Sequence, residues 1–207
     1  MAPTSLKQHQ ASDQGLMLPI KTGEGRALQV LREITQGTAP LTGAAFFPGL
    51  VRHIGQTFGV KYVYLSELVR EQPGILRVIA SWENGKNGFG FELKMANTPC
   101  ARVVTEGIFV VPEGLTEEYP NDHFFKRIGA ESYVGVPILD GTGETLGHIC
   151  VLDDQRLREE TVLTSTLTLV AVRAAAERFR GTGGAPSRTR RMPASPASRV
   201  ASAYQFR

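Results

Sequence analysis

The chain has 207 residues, 42% of them apolar and 21% charged. That suits one domain with a substantial core and excludes wholesale disorder. Two cysteines exclude a disulfide-rich scaffold and a four-cysteine zinc site, and no apolar run approaches the ~18 residues that would span a membrane. The formal net charge of +3 belongs to the C-terminal segment, where Arg188, Arg190, Arg191, Arg199 and Arg207 stand without an acid; the remainder holds 18 basic against 20 acidic residues.

Residues 1–22 are polar and aperiodic, with no apolar h-region or small-residue cleavage site, so they read as a disordered leader and the compartment as the cytoplasm. Ala27, Leu28, Leu31 and Ile34 then form a short helical stripe that Gly37 and Pro40 stop. A second helix has Phe46, Phe47, Leu50, Val51, Ile54 and Phe58 on one broad face, tolerates Pro48 in its first turns and closes at Gly59.

The period now changes to two. VKYVYLSEL (60–68) and ILRVIASW (75–82) flank the Gln72-Pro73-Gly74 turn, and Asn84 to Gly88 turns into FGFELKM (89–95). Thr98 and Pro99 read as the N-cap and first residue of a short helix carrying Cys100, Val103 and Val104. IFVV (108–111) is a sixth strand by count, 112–122 a loop, and Asp122 the cap of a short helix with Phe124, Phe125 and Ile128. SYVGVPI (132–138) and LGHICVL (146–152) flank the turn at Asp140 to Gly143. Short turns between strands make the sheet mainly antiparallel, and helices grouped at the ends make the class α+β.

The longest helix, 159–180, carries two apolar stripes. One holds Leu163, Leu167, Val170 and Ala174; the other holds Val162, Leu169, Val172, Ala176 and Phe179. One stripe can face the sheet, and the other predicts a homodimer through this helix. Residues 181–207 are rich in Gly, Pro, Ser, Ala and Arg and read as a basic disordered tail, leaving 23–180 as one domain. The arginine cluster has no interleaved aromatics and stands behind a faintly acidic domain, which argues against nucleic acid as a partner.

The element order, FGVKYVYLSEL at 58–68, Trp82, NTPCARVVTEG at 97–107, Tyr119-Pro120-Asn121-Asp122, AESYVGVPILDGTGETLGHICVLD at 130–153 and the closing RAAAERFR resemble a GAF domain, a sensory module of signalling proteins. The resemblance covers about 41–180. It implies a central six-stranded antiparallel sheet with a terminal-helix bundle on one face and, on the other, short helices and loops over a ligand pocket. It also implies regulation of an output domain in place of catalysis. No such domain follows residue 180, so the output would lie in a separate signalling protein, or this is a fragment or stand-alone relic.

The resemblance places the pocket between the sheet and 97–130, with Phe89, Phe91, Thr98, Cys100, Val103, Phe109, Asp122, Phe124, Phe125 and Tyr133 as lining candidates for an unidentified small molecule. Gly85-Lys86-Asn87-Gly88-Phe89-Gly90 lacks phosphate-loop spacing and leads into a strand, so it is a hairpin turn. The Asn-Lys-x-Phe-Asp-Glu signature of cyclic-nucleotide-binding relatives is missing, and Cys100 has no adjacent histidine of the kind that accompanies bilin attachment.

His148 and Cys150 point the same way on one strand, but no third ligand suggests a metal site; they read as a hydrogen-bonded histidine and a core cysteine. Cys100 would feel the positive end of its helix, which lowers a thiol pKa, yet it reads as a small apolar side chain packing helix onto sheet. The domain is therefore expected to be non-enzymatic. The alternatives are a pocket-thiol enzyme like the GAF-fold reductases of free methionine sulfoxide, or a ligand-free interaction domain.

Overall fold

A computed structural model describes residues 22–181. Except for Thr22 and Gly181, the expected leader and tail lie outside the described residues. Helix α1 spans Thr22–Thr38, and a 3-10 turn at Gly43–Ala45 leads into α2, Phe46–Phe58. Gly59, with φ 67°, ends α2 in the left-handed conformation that glycine adopts without strain. The strands are β1 (Tyr62–Leu68), β2 (Ile75–Glu83), β3 (Lys86–Asn87), β4 (Glu92–Lys94), β5 (Phe109–Val111), β6 (Ser132–Leu139) and β7 (Thr145–Asp153). Between β4 and β6 come α3 (Pro99–Glu106), α4 (Leu115–Glu118) and α5 (His123–Ile128), and α6 (Glu160–Gly181) closes the fold.

The sheet order is β3-β2-β1-β7-β6-β5, with β4 also on β2, and every pairing is antiparallel. This is the expected α+β architecture. It departs from the sequence reading in three places. The strand expected at 89–95 is shortened to Glu92–Lys94, and the expected turn at 84–88 holds a further strand, because Asn84 (φ 49°) and Gly85 (φ 89°) make a two-residue turn that brings Lys86–Asn87 into pairing with Trp82 and Glu83. The loop 112–122 contains α4, whose Leu115 is fully buried. On α1 the inward residues are Val30 and Ile34, while Leu28 of the expected stripe is 57% exposed.

One face of the sheet packs under α1, α2 and α6. Val63, Leu65, Val134, Val136, Ile149 and Val151 meet Ile34, Leu50, Ile54, Leu163 and Leu167 there. Gly55 lets the Trp82 ring lie against α2, where a Cβ would overlap it. The first stripe of α6 is buried; on the second, Leu169 and Val172 are exposed and Val162 is half-buried. Phe179 lies outside the described side chains.

Candidate functional site

The other face lies beneath α3, α4 and α5. Strand alternation turns Tyr62, Tyr64 and Ser66 of β1 toward it, with Tyr133 and Gly135 of β6 and His148, Cys150 and Leu152 of β7. In the register Tyr64 and Gly135 flank Cys150, and Ser66 and Pro137 flank His148. Gly135 is where α3 settles on the sheet: a Cβ there would overlap Val103 Cγ2 and lie 2.5 Å from Tyr133 Oη. The first turn of α3 thereby delivers Cys100 to Tyr133, whose hydroxyl donates to Cys100 Sγ at 3.7 Å.

The two short helices begin differently. Asp122 caps α5, accepting from the Phe124 and Phe125 backbone N–H groups at 2.8 and 3.2 Å. Thr98 holds the N-cap position of α3 but makes no side-chain cap bond; its hydroxyl donates to the Met95 carbonyl oxygen at 2.7 Å. Phe91, Phe124 and Tyr64 form an aromatic cluster with ring centroids 5.8–6.0 Å apart, and Phe125 joins it through Phe124 at 5.9 Å. Phe109 meets Tyr133 at 6.4 Å and is covered by the Arg102 guanidinium 4.0 Å above its ring.

The candidates Phe91, Cys100, Val103, Phe109, Phe124, Phe125 and Tyr133 therefore meet in one cluster, with Thr98 and Asp122 at the starts of the helices that roof it. Phe89 is set apart: it is 75% exposed on the segment between β3 and β4. Sequence reasoning missed Tyr64, Ser66 and Ser81, which shares the face by pairing with Tyr64. Their signal was the alternation of β1 and β2, legible only once a neighbouring residue is assigned to a face.

Burial and close neighbours set the titration of Tyr64, Tyr133, Cys100 and Cys150 on this face. Burial pushes the Tyr64 and Tyr133 hydroxyls up, leaving both as protonated donors. Donation from the Cys150 S–H, helped by neighbouring His148, holds the Cys100 thiol well below its ordinary value, while burial pushes Cys150 up. Burial also raises Asp122, against the pull of its two N–H donors. His148 departs from the expected hydrogen-bonded histidine: it is 1% exposed, and neither Nδ1 nor Nε2 has a partner among the described residues. Ser66 Oγ and Ser81 Oγ, equally buried, are unpartnered in the same sense. Buried polar groups are ordinarily satisfied, so a row of them on one face marks a surface built for hydrogen bonding.

Cys100, Val103, Leu115 and Phe125 from α3–α5 pack onto this face. A hollow of about 20 Å³ lies on the bundle side beneath Phe47 and Ala174, and a groove of about 290 Å³ runs along the sheet end by Arg70, Pro73 and Glu144; neither opens between the sheet and 97–130. Among the described residues no group of three or more His, Cys, Asp or Glu is placed to hold a metal, and no helix is long and apolar enough to cross a membrane.

The sequence matches the GAF domain family profile over residues 27–177. The chain belongs to the GAF domain family. A search of the curated proteins returns no match. Among solved structures, a GAF domain of a phosphoenolpyruvate-protein phosphotransferase from Coxiella burnetii aligns at 16% identity over 79% of this chain and 98% of that one, with a TM-score of 0.60. Free methionine-R-sulfoxide reductase from Neisseria meningitidis, in complex with its substrate, aligns at 17% identity over 74% and 91% with a TM-score of 0.59. A phycocyanobilin-bound GAF domain from a cyanobacterial phytochrome aligns at 15% identity over 75% and 97% with a TM-score of 0.56. At these identities the likeness is one of GAF fold, across signalling proteins and a reductase alike.

Proposed function

We propose that this GAF domain is a non-catalytic regulatory sensor of the cytoplasm, binding a small molecule on the face roofed by α3, α4 and α5 and passing the change to a separate output protein. The observation that carries the reading is the set of buried polar side chains Ser66, Ser81 and His148, unpartnered among the described residues, beside the rings of Tyr64, Phe91 and Phe124. A ligand with hydrogen-bonding groups on an aromatic or apolar frame would satisfy the first and stack on the second. To enter, it must lift the roof, which consists of short helices and loops on a rigid sheet.

The exposed second stripe of α6, with Leu169 and Val172 outward, supports a homodimer through the terminal helices. Glu67 on β1 pairs with Arg178 of α6 and, at 3.3 Å, with Arg77 of β2, so motion in the sheet is felt at the end of that helix. Native mass spectrometry of freshly purified protein should show a co-purified small molecule and a dimer. Hydrogen exchange with that molecule added should protect 97–130; protection confined to α1 and α6 would sink the reading. The neighbouring sulfurs of Cys100 and Cys150 favour a second reading, a thiol-dependent reductase. Turnover of free methionine sulfoxide that is lost in Cys100→Ser would establish it and displace the first.

A further inference from the structure

We propose that Cys100 and Cys150 are a redox modification site, a dithiol that a hydroperoxide oxidises reversibly to an intramolecular disulfide. The two free thiols come from α3 and β7 and share one buried cluster. At Gly135, the register partner of Cys150, a Cβ would overlap Val103 Cγ2 of α3. Tyr133 Oη donates to Cys100 Sγ at 3.7 Å. Two residues before Cys150 on the same face stands His148, fully buried with both ring nitrogens unpartnered among the described residues. Packing alone explains two core cysteines but not an imidazole kept beside them without a hydrogen bond, which costs stability.

The chemistry divides the pair. Donation from Cys150 and the nearby His148 favour the Cys100 thiolate, whereas burial keeps Cys150 protonated. His148 takes the Cys100 proton. The thiolate attacks one peroxide oxygen, forming the S–O bond of a sulfenic acid and breaking the O–O bond; the leaving oxygen takes the proton back from His148 and departs as an alcohol, or as water from hydrogen peroxide. Sulfur has then lost two electrons and the peroxide has gained two. The Cys150 sulfur attacks the Cys100 sulfur, an S–S bond forms, the S–O bond breaks, and hydroxide leaves as water with the Cys150 proton. Access requires only that the first turn of α3 open, next to Asn97 in the left-handed conformation at φ 62°. The disulfide would pin α3 to β7 and hold the roof down over the ligand face, a consequence that rests on the sensor reading.

The test uses the full chain, freshly reduced, then exposed to hydrogen peroxide, denatured, alkylated and mapped. The expected result is loss of both alkylatable thiols, a mass fall of about 2 Da, a peptide joining Cys100 to Cys150, and full reversal by dithiothreitol. Cys150→Ser should stop at a Cys100 sulfenic acid that dimedone traps, and His148→Gln should slow the first step about tenfold or more. Should Cys150→Ser fail to fold, the wild-type map decides alone. Two thiols still alkylatable after peroxide, a disulfide joining two chains, or dimedone trapped on Cys150 would each overturn the proposal. None of these readings needs a ligand, so their failure leaves the sensor reading standing, and a missing ligand leaves this one standing.

Discussion

Beneath α1, α2 and α6 the sheet presents Val63, Leu65, Val134, Val136, Ile149 and Val151, an aliphatic surface whose buried aromatic companions are Phe46 and Trp82. Beneath α3–α5 the same strands present Tyr62, Tyr64, Tyr133, Cys150 and His148. The first face is closed by helices of 13 to 22 residues, the second by helices of 4 to 8. Aliphatic side chains held by long helices give a foundation with little reason to open. Aromatic, thiol and imidazole groups under short helices keep chemistry in reserve at some cost in stability. The division of labour between faces can be tested by substitution.

The largest effect belongs to the foundation. Leu167 of α6 is fully buried against the sheet, and Leu167→Ala should cost about 2–5 kcal/mol in chemical denaturation, through lost transfer energy and the cavity left behind. A loss below about 1 kcal/mol would show that the bundle face does not carry the fold.

That foundation was the legible part of the chain. β-branched runs bounded by Gly, Pro and Asn mark β1, β2, β6 and β7, and the two stripes of α6 separate as the spacing predicts. What failed had local physical causes. Leu28 and Val30 are both apolar, and how α1 docks on its neighbours leaves Val30 buried and Leu28 outward. The pairing of Lys86–Asn87 hangs on a two-residue turn. The site was half legible. Phe91, Phe124, Phe125 and Tyr133 gather on one face, as the family resemblance suggested, while Phe89 turns outward. That Cys100 reaches Tyr133 depends on where α3 lands on β6, which no spacing within either segment encodes, and that His148 has no partner among the described residues is equally invisible in the strand pattern.

The second prediction reverses the usual sign. His148→Leu replaces a buried imidazole, unpartnered among the described residues, with an apolar side chain that asks for no hydrogen bond, so the variant should be more stable by about 1–3 kcal/mol while its thiols oxidise more slowly. A comparable loss of stability would mean that His148 holds the structure together, and the contrast between the faces would narrow.

A smaller effect comes from the roof. Burial holds the Asp122 carboxyl above its ordinary value of 3.8. A carboxyl that binds its proton more tightly when folded contributes most to stability below its unfolded pKa, and that contribution is lost as pH rises through its folded pKa. Asp122→Asn keeps an oxygen for the Phe124 and Phe125 N–H groups but cannot ionise. Wild-type stability relative to the variant should therefore be most favourable near pH 3 and decline toward neutrality, by less than the ~1 kcal/mol of a typical cap. Denaturation midpoints across that range check it, and a difference that grows with pH would show that the N–H donors outweigh burial.

The smallest effect on the fold comes from the outer side of the bundle. Val172 is 69% exposed and Leu169 53%, so within one chain neither holds much in place, and Val172→Glu should change unfolding free energy by no more than about 0.5 kcal/mol. If the dimer joins along this stripe, the same substitution sets two carboxylates at a desolvated, self-complementary contact, where each residue meets its own symmetry mate. Sedimentation at micromolar concentration should then show a wild-type dimer and a variant monomer, while Gln72→Glu, in the exposed turn between β1 and β2, leaves the dimer intact. A wild-type monomer would make the exposed stripe ordinary surface and leave the ligand face as this domain's functional surface. Dissociation by both substitutions would place the joint elsewhere and separate the bundle from the route of the signal.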